Sequence, residues 1–259
     1  MSATVIIPTT GAPELRKAVD SVIKQTHKDT VCYVVIDGEQ NYGKTSSVLR
    51  DIWSHPKLKV ASLPINVGAN GFYGHRVYAS FSHLVNTDYV LYLDQDNWFD
   101  PNHVQSCIDL IEANGLQWCH SLRKIADKDG NYICNDDCES LGKYKMVNSD
   151  YNHCDTNTYC LPKITAIQCA SAWHGGWGQD RVFLKAISKF FPKFDGTGQY
   201  TVNYRIGGND GSVRKEFFEH NNAIMNKQYN GEFPWRKENL KTSSSAASQD
   251  IITISSNLG

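Results

Sequence analysis

The triplet Asp94-Gln95-Asp96 follows directly on the apolar run Tyr89-Val90-Leu91-Tyr92-Leu93. An uninterrupted apolar run of that length, bounded by polar residues, reads as a buried strand. Two carboxylates one residue apart then emerge at the strand's carboxyl end, where open α/β sheets place their ligands. Hard oxygen donors suit Mg²⁺ or Mn²⁺, and a divalent ion there can bridge the phosphates of a nucleotide. Asp94 through Asp100 also reads as a solvated acidic turn, but the strand context favours the metal. An EF-hand is excluded, because Trp98 and Phe99 fall on ligand and glycine positions and Gln105 stands where the bidentate Glu belongs.

A second segment competes for the nucleotide. Gly38-Glu39-Gln40-Asn41-Tyr42-Gly43-Lys44-Thr45 satisfies the phosphate-loop pattern G-x-x-x-x-G-K-[ST], between a strand and a possible helix from Ser46 to Trp53. Tyr89 to Asp94 would then carry the Mg²⁺-contacting Asp of an NTPase. Asp37 tells against this, since it sets a carboxylate beside a loop meant to cradle phosphates, and so does Asp96, which the NTPase leaves without a role. Cys134, Cys138, Cys154 and Cys160 with His153 invite comparison with a zinc site, but their spacings do not give two paired C-x₂-C knuckles.

The elements that must position these residues alternate strand and helix. Val5-Ile6-Ile7 is a strand, followed by a helix with Leu15, Ala18, Val19, Val22 and Ile23 on one face. Val31 to Ile36 is a second strand ending at Asp37, and Lys57 to Leu63 a third, weaker one. Val77, Phe81, Leu84 and Val85 mark a helix before the Tyr89–Leu93 strand. Asp100-Pro101 opens another helix, with Val104, Cys107, Ile108 and Ile111 inward and Asn114-Gly115 closing it. This rhythm predicts an α/β fold with a mostly parallel sheet flanked by helices. Beyond Trp118 the pattern loosens: a turn at Asp127 to Asn131 between two short segments, a polar stretch from Asn135 to Thr158, a helix through Val182 and Phe190 stopped by Pro192, and a last helix from Ser212 to about Lys227.

The composition narrows the partners. In 259 residues, 26 Lys and Arg meet 27 Asp and Glu, for a net charge of −1. No basic tract suits nucleic acid or an anionic membrane. No segment approaches a membrane span, and the start Met1-Ser2-Ala3-Thr4-Val5-Ile6-Ile7-Pro8 lacks the basic region of a signal peptide. Eight cysteines in such a chain suggest reduced thiols and a cytoplasmic location.

Taken in order, these pieces resemble a GT-A-type nucleotide-sugar glycosyltransferase of the family 2 group. The strand Val5-Ile6-Ile7-Pro8-Thr9-Thr10, Gln25-Thr26, the strand closing on Asp37, Asn66-Val67-Gly68-Ala69-Asn70-Gly71, Asp94-Gln95-Asp96 and Trp177-Gly178-Gln179-Asp180 match the group's landmarks over roughly residues 2 to 185. The resemblance implies a GT-A (Rossmann-like) fold with an irregular C-terminal part, spanning 1–241 as one domain. Residues 1–117 would be the nucleotide-binding half and 118–241 the sugar and acceptor half, with 242–259 a flexible tail. It implies a nucleoside-diphosphate sugar donor, a UDP-sugar foremost, with Thr9 and Asp37 near base and ribose and Pro8, Asn66, Gly68, Arg76 and Asp94 completing that site. Asp96 would be the main metal ligand of the pair, and His220 resembles the C-terminal metal histidine of many such enzymes. His220 also shares a helical face with Phe217 and Ile224, as a core histidine would. The family's second strand usually ends in two acidic residues, whereas this one reads Asp37-Gly38.

The chemistry of glycosyl transfer agrees. A divalent ion stabilises the charge growing on the leaving diphosphate, and inversion needs a carboxylate to take the acceptor's proton. Asp180 follows the turn Gly175-Gly176-Trp177-Gly178 and is the candidate base, although an acidic residue there also serves the helix dipole. Trp173, His174 and Trp177 are candidate sugar contacts. Asp155 and Asn157, in Asp155-Thr156-Asn157-Thr158, offer acceptors for sugar hydroxyls and read equally as an Asx turn. The acceptor would be a glycan, lipid-linked or protein hydroxyl. A sugar nucleotidyltransferase shares the same nucleotide and metal logic and stands as the alternative activity.

Overall fold

A computed structural model describes residues 1–208 and 213–236. The expected tail at 242–259 lies outside the described residues, as does Ser212.

Strand β1 (Ala3–Thr9) is followed by helix α1 (Leu15–Ile23), β2 (Thr30–Ile36), α2 (Tyr42–Val48) and β3 (Leu58–Ser62). Then come α3 (His75–Leu84), β4 (Tyr89–Tyr92), the short β5 (Trp98–Phe99) and α4 (His103–Asn114). The second part holds β6 (Trp118–Ala126), β7 (Tyr132–Asn135), β8 (Tyr159–Pro162), α5 (Lys163–Cys169), α6 (Gln179–Phe190), β9 (Phe194–Arg205) and α7 (Lys215–Gln228). The sheet runs β3-β2-β1-β4-β8-β6-β9-β5, with β7 beside β6. β1 to β4 are mutually parallel, β8 is antiparallel to both β4 and β6, and β6 and β9 are parallel.

Apolar runs make the first strands because both faces of the sheet are covered. Ile7 and Leu91 pack on the α1 and α4 side, while Ile6, Val90 and Tyr92 pack on the α3 and α6 side. Each such side chain, wholly withdrawn from water, contributes about 1.5–3 kcal/mol. The order reverses at β1, whose neighbours β2 and β4 lie on opposite sides, so a crevice opens beyond the carboxyl ends of β1 and β4.

Two boundaries differ from the sequence pattern. Asp100 does not cap α4: its carboxylate takes Asn203 Nδ2 at 2.9 Å and pairs with Lys124, so the helix starts at His103. Gly115, at φ 56°, ends it as expected. β9 (FDGTGQYTVNYR) carries Asp and Gly residues that strands disfavour, and its long pairing with β6 overrides that local preference.

Candidate active site

The carboxyl ends of β1 and β4 open into a cavity of about 600 Å³. Pro8, Thr9, Asp37, Asn66 and Gly68 line one side, Asp94, Gln95 and Asp96 the floor, and Glu139, His153, Asp155, Trp177 and Asp180 the other side. The two strand ends are tied by Gln95, whose Oε1 accepts from Thr9 Oγ1 at 2.6 Å and Thr10 N at 3.1 Å. Gln95, the middle residue of the acidic triplet, had no role in the sequence pattern. Asp37 accepts from the N–H groups of Val67 (2.7 Å) and Gly68 (2.9 Å), so it shapes the 66–68 turn while facing the cavity. A Cβ on Gly68 would stand 2.0 Å from Tyr73 O and 2.7 Å from Asp37 Oδ2, so only glycine closes that turn. The buried Asn66 Oδ1 has no hydrogen-bond partner among the described residues.

Asp94 and Asp96 differ in surroundings. Tyr78 OH donates to Asp94 Oδ1 at 2.7 Å and Asn157 Nδ2 to Oδ2 at 2.9 Å, while Asn157 Oδ1 accepts the Asp94 N–H at 2.6 Å. Burial and the Asp155 charge push the Asp94 carboxyl up, and the Tyr78 and Asn157 donors oppose them. Burial and the charge of Asp94 push Asp96 up to about 6, against the Arg205 guanidinium. Two withdrawn carboxylates, Asp94 raised by burial and by Asp155, and Asp96 by burial and by Asp94, form a place where a cation is stabilised. No group of three or more His, Cys, Asp or Glu side chains among the described residues could hold a metal alone. A hard divalent ion held by one or two carboxylates plus substrate phosphates needs no such group, so the pair fits Mg²⁺ or Mn²⁺.

Beside the floor, in the cavity wall, lies an ionic cluster. Arg123, 2% exposed, donates to Asp136 Oδ2 (2.7 Å) and Asp155 Oδ2 (2.7 Å) and pairs with Glu139. Asp155 Oδ1 in turn accepts from Asn157 Nδ2 at 2.7 Å and Asn157 N at 2.9 Å, the latter closing the Asx turn. The geometry thus joins Arg123, Asp155, Asn157 and Asp94 in one chain. Arg123 was missed in the sequence, where a single arginine in a loose strand carries no signal.

Asp180 sits in the first turn of α6 and lines the cavity, so the dipole contact and exposure to a ligand coexist. Its Oδ1 accepts the Arg181 N–H at 2.8 Å, and its Oδ2 lies 3.6 Å from His153 Nε2. Trp177, 81% exposed, stands at the rim. The preceding glycines divide: a Cβ on Gly176 would meet Gly71 O at 2.5 Å, so that one serves loop contact, while Gly178 lines the cavity.

Other candidates stand elsewhere. Trp173 is wholly buried, stacked on Phe183 with centroids 4.1 Å apart, and offers no platform to a sugar. His174 is exposed and does not line the cavity. Arg76 lies over the Phe72 ring, 3.4 Å from its centroid, outside the cavity lining. His220 is exposed on α7 and neither reaches the acidic pair's cavity nor enters the core. Cys138, Cys154 and Cys160 are buried and unpaired, without a metal cluster among the described residues. In the phosphate-loop segment, Thr45 is buried and its hydroxyl donates to Asn41 O at 2.9 Å, while Lys44 is exposed and lines no part of the cavity.

A sheet of this order with an acidic pair at its switch point is the architecture of GT-A glycosyltransferases. Residues 4–160 match glycosyl transferase family 2, and the chain belongs to that family. An uncharacterized protein of Haemophilus influenzae is 31% identical over a match that covers 33% of this chain and 70% of that protein. Among solved structures, S. aureus TarS 1-349 in complex with UDP-GlcNAc superposes with TM-score 0.63 at 15% identity, over 88% of this chain and 66% of that one. The same protein in complex with UDP gives TM-score 0.60 at 13% identity, over 90% and 72%. The chain spans 60% of the length of a third solved structure, S. aureus TarS 1-349. The likeness shows the fold. Among the described residues, no helix is long and apolar enough to cross a membrane.

Proposed function

We propose that this glycosyltransferase moves a sugar from a nucleoside diphosphate, a UDP-sugar foremost, to a hydroxyl of a glycan, lipid-linked or protein acceptor, with Mn²⁺ or Mg²⁺. The observation that carries the reading is the pair Asp94 and Asp96 at the carboxyl end of β4, floored in a cavity with the β1 end and the 66–68 turn beside it. The UDP and UDP-GlcNAc complexes of TarS, a protein of the same fold, agree with it. Unpaired thiols at all eight cysteines accord with a cytoplasmic location.

The nucleoside lies against Pro8, Thr9 and Asp37 in this reading, with the unpartnered Asn66 Oδ1 offering an acceptor to a ligand N–H or O–H. Residues 1–117 thus hold the nucleotide and 118–241 the sugar and acceptor. Asp96 is the principal ligand of the divalent ion, since both Asp94 oxygens already accept from Tyr78 and Asn157. When bound, the ion supplies Lewis-acid stabilisation of the departing diphosphate.

Asp180 takes the proton of the attacking hydroxyl. Trp177 at the rim covers the acceptor and excludes water from that step. One direct displacement inverts the anomeric carbon. The test uses Mn²⁺-dependent hydrolysis of UDP-GlcNAc followed by proton NMR, read before mutarotation. The β-anomer should appear first from this α-linked donor; the α-anomer first would remove Asp180 from the base role.

A further inference from the structure

His153 is 4% exposed yet forms part of the cavity wall. Its backbone is fixed, because its carbonyl accepts from Leu141 N at 3.1 Å and Gly142 N at 2.9 Å. Its Nε2 faces Asp180 Oδ2 at 3.6 Å, and its Nδ1 is buried with no hydrogen-bond partner among the described residues.

A neutral imidazole has one N–H and one lone pair, and the tautomer follows whichever nitrogen finds an acceptor. Nδ1 finds none. Nε2 finds a carboxylate. We infer that His153 is a positioning residue for Asp180: it holds the Nε2–H tautomer and aims that proton at Asp180 Oδ2, while the Arg181 N–H holds Oδ1. The inference rests on Asp180 as the base. Once Nε2–H closes on Oδ2, each oxygen has one donor, the carboxylate plane is fixed and its remaining lone pairs are left for the acceptor hydroxyl. The separation of 3.6 Å is a close electrostatic contact that a small approach of the two side chains turns into a hydrogen bond. Asp155 and Glu139 line the same part of the cavity and Arg181 flanks the carboxylate, so His153 supplies the one side-chain N–H on Oδ2 among the described residues.

Two substitutions separate positioning from mere filling of space. His153→Gln places an amide nitrogen near the Nε2 position and keeps the donor. His153→Asn places it near Nδ1 and cannot reach Asp180. In Mn²⁺-dependent hydrolysis of UDP-GlcNAc, kcat should stay near wild type for His153→Gln and fall roughly tenfold for His153→Asn and His153→Phe, the loss expected of one hydrogen bond to a charged group. KM for the donor should be unchanged in all. Wild-type kcat in His153→Phe, or equal losses in Gln and Asn, would overturn the inference. Long-range proton–nitrogen correlation NMR of ¹⁵N-labelled protein reads the tautomer without any turnover, with the His153 signals identified by their absence in His153→Gln. An Nε2–H pattern is expected and an Nδ1–H pattern overturns the inference. Full activity of Asp180→Asn would overturn the base reading and this inference together, a signature distinct from a wrong tautomer.

Discussion

Asn157 holds Asp94 from two directions, donating from Nδ2 to Oδ2 at 2.9 Å and accepting the Asp94 N–H on Oδ1 at 2.6 Å. A wholly buried amide on a short 3-10 turn therefore fixes the direction of a carboxylate 63 residues earlier in the chain. Asn157→Ala would leave an Asp94 oxygen, the Asp94 N–H and an Asp155 oxygen short of a partner. Each such loss costs about 1–3 kcal/mol, so the denaturant midpoint should fall markedly and Mn²⁺-dependent UDP affinity with it. Asn157→Asp, nearly the same shape, should do worse, because it sets a third carboxylate against Asp94 and Asp155. Equal stability of Asn157→Asp and wild type in urea would contradict this account.

Arg123 should be intolerant of change. Arg123→Met leaves the buried Asp136 and Asp155 and the part-buried Glu139 without their cation, a loss of about 3–5 kcal/mol in chemical denaturation. Arg123→Lys should recover little, since one ammonium cannot reproduce a guanidinium fork that spans all three partners. The cluster also sets the acid limit. Burial alone pushes the Asp136 carboxyl up, but Arg123 and the Ser140 and Cys138 N–H groups outweigh it, and the net shift is downward. A folded-state value below the unfolded one contributes stability that is complete above the unfolded value of about 4 and is lost as pH falls through the folded one. Acid unfolding followed by circular dichroism should show that contribution in wild type and not in Arg123→Met.

Metal-dependent donor binding should weaken with acid. The Asp96 carboxyl is pushed up to about 6 by burial and by Asp94, and the cation requires its ionised form. Below that pH, Mn²⁺-dependent UDP affinity measured by calorimetry should fall by about tenfold per pH unit for this one proton. An affinity flat from pH 7.5 to 5 would contradict Asp96 as a ligand.

Lys44 should be dispensable. It is exposed on α2 and lines no part of the cavity. Lys44→Ala should leave UDP affinity within a few-fold, and wild type should show no ATP turnover. Loss of nucleotide binding in Lys44→Ala would return the segment from Gly38 to Thr45 to the phosphate-loop role.

The strands β1, β2 and β4 were legible because each is a short apolar run buried on both faces, a pattern that owes nothing to distant partners. The place of Asp94 and Asp96 beyond the carboxyl end of a strand was legible for the same reason, since a strand end needs only its strand. β8, β9 and α5 were not assigned, because their stability comes from pairing and packing across the sheet and their sequences carry weak local preference. Trp173 and Trp177 are four residues apart, yet one is wholly buried and the other 81% exposed; sequence alone does not say which side of the turn faces the core. Arg123 and His153 escaped for a related reason: their partners Asp136, Glu139 and Asp180 lie in loops and a helix end that only the tertiary fold brings to them.

The central claim is that Asp96 is the principal ligand of a divalent ion that joins this chain to a nucleoside diphosphate. Thermal-shift titration of wild type, Asp94→Ala and Asp96→Ala with UDP, with and without Mn²⁺, tests it most directly. Ligand-linked stabilisation should appear in wild type only when Mn²⁺ and UDP are both present. It should be reduced in Asp94→Ala and abolished in Asp96→Ala, with the unliganded melting temperature of Asp96→Ala no lower than wild type, because that substitution removes a carboxylate burdened by burial and by Asp94. A full Mn²⁺-dependent shift by UDP in Asp96→Ala would contradict the account.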